Sequence, residues 1–184
     1  MTFAALLDQL PDALAADLSR SFASLIASNP METFYGLATC HDTDTYSCYL
    51  AAHSEEAILR ELQQRSNASG TPISELSSDR YWIPEWQFTD DSGLVSELHS
   101  QIWNAFEREG IDYYAERRRV YDAYVEGLRR FEANGGISTY DRERFLLVPW
   151  VHDPGDENVW VLQAVERLNP KRVSELFAST YGYT

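Results

Sequence analysis

Glu32-Thr-Phe-Tyr-Gly-Leu-Ala-Thr-Cys-His-Asp-Thr-Asp-Thr-Tyr-Ser-Cys-Tyr-Leu-Ala-Ala-His53 reads as two strands joined by a polar turn, with a helix on either side. Phe34 to His41 and Tyr46 to His53 are rich in aromatic and small apolar residues, which suit a pleated surface. Asp42-Thr-Asp-Thr45 between them is turn chemistry, because a short carboxylate can bond its own backbone. A turn centred on Asp44 sets Cys40 opposite Cys48. Phe34, Gly36, Ala38 and Cys40 then share an apolar, core-facing side with Tyr46, Cys48, Leu50 and Ala52. Tyr35, Leu37, Thr39 and His41 share the other with Ser47, Tyr49, Ala51 and His53. A one-residue slip would turn one strand over relative to the other.

Outward from the hairpin, helical periodicity dominates. Phe3, Leu7, Leu10, Leu14, Leu18, Phe22, Leu25 and Ile26 recur every three or four residues and predict a helix over 3–28, split at Pro11 and ended by Asn29-Pro30. Ser54 caps a second helix with Glu55 and Glu56 in its first turn, and 65–72 reads as a loop. Tyr81-Trp-Ile-Pro-Glu-Trp-Gln-Phe88 reads as a third extended segment, entered through an edge or bulge at Pro84. Leu94, Leu98, Ile102, Ala105 and Phe106 mark a third helix, stopped at Gly110. Tyr114, Tyr121, Tyr124, Leu128 and Phe131 mark a fourth, over 113–134, expected to pair antiparallel with the third. Phe145–Val151 and Val159–Val165 read as a last hairpin around His152-Asp-Pro-Gly-Asp-Glu157, Pro149 making its first strand an edge or a bulge. Asn169-Pro170 opens a final helix. The expected fold is one α+β domain over residues 1–184, an antiparallel sheet of four or five strands flanked by helices.

Bulk properties narrow the function. A chain of 184 residues, 44% hydrophobic and 13% aromatic, has enough core to fold without metal or disulfide. A net charge of −14 opposes nucleic acid and anionic membranes and favours a basic partner. The opening Met1-Thr-Phe-Ala-Ala-Leu-Leu-Asp8 lacks a basic n-region, and no stretch reaches the ~20 apolar residues of a membrane span. With two cysteines and no export signal, the expectation is a cytoplasmic protein with reduced thiols.

Phe34-Tyr-Gly-Leu-Ala38 with Asp42-x-Asp44, Ala51-Ala-His-Ser-Glu-Glu-Ala57 and Tyr81-Trp-x-Pro-Glu-Trp86 resemble a bacterial family, family 4303 of the domains of unknown function. Two positions depart from its pattern: a single residue separates Pro84 from Trp86, and His53 stands in place of an Asn. The resemblance implies a single domain over most of the chain and carries no catalytic residue with it. Through some relatives it implies kinship to immunity proteins, in which a small acidic protein blocks a toxin.

The residues themselves offer few reactive sets. Cys40, His41, Cys48 and His53 have zinc-type ligands at the wrong spacing, and core cysteines that merely pack are the plainer reading. Strand parity separates Cys48 from His53, which argues against a Cys–His nucleophile. Arg117-Arg-Arg119 reads as an ion-paired helix face. Asp42, Asp44, Asp153, Asp156 and Glu157 put acid on both expected hairpin turns. If the turns share one end of the sheet they form a rim for a basic protein; otherwise Asp is simply at home in turns. Trp82 and Trp86, with Trp103, suit a contact platform or ordinary core. No phosphate loop, nucleophile elbow or His-Glu-x-x-His is present. The leading expectation is therefore a protein-binding module, immunity-type, with no cofactor and no catalytic residue, binding a basic partner through Asp42, Asp44, Trp82, Trp86, Asp153, Asp156 and Glu157. The alternatives are an enzyme or small-ligand binder with a pocket near Trp82–Trp86, and a scaffold without ligand.

Overall fold

A computed structural model describes residues 1–42, 47–76, 80–90, 93–152, 155 and 157–181. In chain order the elements are α1 (Phe3–Leu7), α2 (Leu10–Ser28), β1 (Phe34–His41), β2 (Cys48–Ser54), α3 (Glu55–Ser69), β3 (Phe88–Asp90), α4 (Ser96–Glu109), α5 (Tyr113–Ala133), β4 (Leu146–Val151), α6 (Asn158–Leu168) and α7 (Lys171–Thr180). The chain is α+β with one sheet, in the order β3-β2-β1-β4. No helix among the described residues is long and apolar enough to cross a membrane.

The sheet is mixed, not purely antiparallel. β1 pairs antiparallel with β2, but β4 runs parallel to β1, with Gly36 beside Leu146 and His41 beside Val151. The reason lies in the segment expected to be the last strand. Val159-Trp-Val-Leu is β-branched and aromatic, yet Val161, Ala164, Val165 and Leu168 bury one face at helical spacing, and the segment forms α6. Among the described residues no strand pairs with the outer side of β4, so β4 is an edge, where Pro149 is tolerated. Asn169 covers that edge. Its amide accepts from the Leu147 N–H at 2.8 Å and donates to the Leu147 carbonyl at 2.7 Å, as a neighbouring strand would.

Helices cover both faces of the sheet, so all of β1 is buried rather than alternate residues only. On one face α2 lies along α5. Leu14, Leu18 and Phe22 meet Tyr121, Tyr124, Leu128 and Phe131 in the core, and Gly127 lets the Leu14 side chain approach the α5 backbone. Phe22 is the hub of an aromatic cluster, with ring centroids 5.7 Å from Phe34 and 6.2 Å from both Phe131 and Phe145. On the other face the Trp86 ring covers Gly36, and Tyr181 lies 5.0 Å from Trp150.

Four local expectations change. The hairpin register is one residue off: Cys40 faces Tyr49 and His41 faces Cys48, which puts the cysteines on opposite sides of the sheet. An irregularity between Phe34 and Gly36 takes up the difference at the strand's start. The extended segment 81–88 is instead a 3-10 turn over Ile83–Glu85, with the strand confined to Phe88–Asp90, because Pro84 favours a turn. The expected loop 65–72 is helical as far as Ser69, with Gly70 ending α3. Tyr114, placed in the buried stripe of α5, is 70% exposed.

Candidate ligand pocket at the end of the sheet

Because β1 and β4 are parallel, both end at the same edge of the sheet, and the His152 N–H bonds the His41 carbonyl at 2.8 Å. β2 begins there, and the chain leaving β3 passes it, the Leu94 N–H bonding the Cys48 carbonyl at 2.7 Å. Gly93 and Val95 both take positive φ, 81° and 49°. For a β-branched residue that conformation is strained, and strain of this kind gathers at functional sites. The Val95 N–H is held by the Asp17 carboxylate at 2.8 Å, and α4 starts at the next residue.

Between α4 and the start of β2 lies a cavity of about 440 Å³, lined by Ser47, Cys48, Tyr49, Gly93, Leu94, Ser96, His99, Ser100 and Trp103. That volume lies in the range of small-ligand sites. Its walls are largely aromatic and apolar, the polar side chains that line it include three serines and a histidine, and no lysine or arginine is among the lining residues.

Behind this wall is a buried polar cluster. The Cys48 sulfur is 3.9 Å from His41 Nε2, which is also 3.1 Å from the Thr39 hydroxyl. The His41 ring packs 3.9 Å, centroid to centroid, from the ring of Tyr124, whose hydroxyl hydrogen-bonds His99 Nε2. His41 Nδ1 is buried without a hydrogen-bond partner among the described residues. On the opposite side of the sheet, the Tyr49 hydroxyl meets His152 Nε2 at 2.6 Å. Three of the four histidines thus converge on one end of the fold.

The cluster is uncharged. Burial, reinforced by His99 and His152, holds the His41 imidazole well below its ordinary pKa. Burial brings His99 down to about 4, against an opposing pull from Asp42. Burial also raises the Cys48 thiol and the Tyr124 phenol well above their ordinary values. A thiol and imidazole so placed are a neutral pair, not the thiolate–imidazolium of a nucleophile. What the arrangement can do is offer neutral donors and acceptors beside an apolar wall.

Of the residues singled out from sequence, the described ones lie in different parts of the fold. Asp42 lies at this end, half-buried, accepting from the Ser47 hydroxyl at 3.2 Å. Asp44, Asp153 and Asp156 fall outside the described residues. Glu157 is buried and ion-paired with Arg117 at 2.6 Å. Trp86 is core at the other end of β1, its indole N–H donating to the Arg80 carbonyl at 3.3 Å. Trp82 is 38% exposed and stacked on Tyr181, with centroids 5.0 Å apart. Of the pocket residues only Trp103, and Cys48 as a considered ligand, stand out in the sequence. His99 was missed, although its spacing to Ile102 and Phe106 marks a polar residue on an apolar stripe. In the sequence Tyr124 stands out only as part of the apolar stripe of α5.

No curated protein and no solved structure matches the chain. A family model described as "Domain of unknown function (DUF4303)" matches residues 14–170, and the chain belongs to that family.

Proposed function

Taking the chain as a DUF4303 member, we propose that it is a binding protein whose site is the pocket between α4 and the start of β2. The ligand is a small molecule with a flat aromatic or apolar part and a neutral or cationic polar edge. The observation that carries this reading is the meeting of a roomy apolar cavity with an uncharged buried polar cluster, on the edge where β1 and β4 end. Apolar walls with a few convergent polar groups are how small-ligand sites are built. Asp42 beside the site and the net charge of −14 disfavour anions. Two free, buried cysteines suit a reducing, cytoplasmic setting. The test is native mass spectrometry of the purified protein, followed by thermal-shift screening with neutral and cationic heteroaromatics. Stabilisation that is lost in Ser100→Trp, which fills the pocket from an exposed helix position, supports the reading. Hits that survive the substitution place the ligand elsewhere.

A second reading is favoured by one observation. β1 and β4 end side by side at His41 and Val151, and in the sequence each strand end is followed by acidic residues, Asp42 and Asp44 after the first and Asp153 and Asp156 after the second. An immunity-type protein that occludes a basic partner would use such an end. A tagged pull-down washed at rising salt tests it. A basic protein captured at low salt, and lost on Asp→Asn changes at Asp42, Asp44, Asp153 and Asp156, supports partner binding. A clean column opposes it.

A further inference from the structure

At the other end of β1 the chemistry is reversed. In a chain of net charge −14, Arg80, Arg144 and Arg172 line one cleft of about 320 Å³, with Tyr81, Glu143 and Leu176. Arg80 is fixed: its two terminal nitrogens each lie 2.6 Å from a Glu55 oxygen, and its guanidinium sits 3.7 Å above the Tyr35 ring. Arg144 reaches the same Glu55 at 3.3 Å with one nitrogen. Arg172 makes no ion pair among the described residues, whereas Arg20, Arg60, Arg108, Arg129 and Arg142 each hold a carboxylate. It also stands in the first turn of α7 beside Lys171, in a turn with no acidic residue. Cations there face the positive end of the helix dipole, an unfavourable placement that an anion would offset.

We infer that this cleft binds the oxyanion group of a small molecule, a carboxylate or a phosphate, between Arg144 and Arg172, with Arg80, held in place by Glu55, as the rigid wall. Three arginines and one carboxylate, Glu143, line the cleft, and even with Glu55, which holds Arg80 and reaches Arg144, counted against them the cleft carries a surplus positive charge inside an acidic protein. Guanidinium forks match planar and tetrahedral oxyanions in pairs of hydrogen bonds. The site is separate from the pocket near α4 and does not depend on it.

Calorimetric titration with sodium phosphate and, separately, sodium acetate at low ionic strength tests the inference, with sodium chloride as the screening control. Saturable binding of one anion is expected, and which one saturates identifies the group. Arg172→Gln and Arg144→Gln should each weaken it by about tenfold or more. Arg167→Gln, an exposed arginine paired with Asp122, should not. Circular dichroism melts without anion verify that each variant is folded, and arginine→lysine at both positions keeps the charge if a glutamine variant is not. Absence of saturable binding by either anion, or unchanged binding in folded Arg172 and Arg144 variants, overturns it.

Discussion

Gly36 sits under an indole: a Cβ built there would lie 2.5 Å from Trp86 Cη2. The ring is wedged among Tyr35, His53 and the β1 backbone and has little room to retreat. Gly36→Ala should therefore cost about 1–3 kcal/mol in urea unfolding, by overpacking rather than by any loss of contact. His99 supplies a share of the pH dependence, beside His41 and His53, which burial also holds below the ordinary value. Its pKa falls on folding from the ordinary 6.5 to about 4, so the unfolded chain takes the proton first as pH drops. Its neutral form's full contribution is present above 6.5 and is lost between 6.5 and 4, by up to about 3 kcal/mol. His99→Gln should make that part of the stability curve shallower, with His41 and His53 supplying the remaining slope, and urea midpoints across the same window measure it. Steeper acid loss in the variant would contradict the neutral assignment.

Among the elements, Asn169 shows a role that no residue pattern announces. The sequence marks it as a helix cap, while in the fold its amide satisfies both groups of Leu147 on the outer edge of β4. Asn169→Asp keeps the acceptor and loses the side-chain donor, leaving the Leu147 carbonyl without that partner, while the Val165 carbonyl keeps the backbone N–H of residue 169 at 3.0 Å. It should destabilise by about 1–3 kcal/mol. Hydrogen exchange at Leu147 and Val148 should speed up first, and uniform exchange across the sheet would argue against edge protection. Helix positions were legible because their signals are local: the stripe of α2, the Ser54 cap, whose hydroxyl accepts from the Ala57 N–H at 3.0 Å, and the Gly110 stop. α6 was not, because its β-branched residues favour a strand by propensity and only burial against β4 decides. The hairpin register turned on an irregularity at Tyr35 that no periodicity reveals.

For the whole molecule, the parallel pairing of β1 with β4 decides what the protein can do. It joins segments more than a hundred residues apart and brings His41 and His152 to one edge, where His99 of α4 joins them through the Tyr124 hydroxyl. Long-range placement of this kind is why the candidate site was largely illegible in the sequence: Trp103 was visible as an aromatic, but His99 and Tyr124 became site residues only in three dimensions. The most direct test is an amide and indole NMR titration with a panel of neutral and cationic heteroaromatics. Saturable shifts confined to Cys48, Ser96, His99, Ser100 and the Trp103 indole, and abolished by Ser100→Trp, are expected. Absence of any saturable shift there, or shifts confined to other surfaces, would contradict a ligand pocket at this end of the sheet.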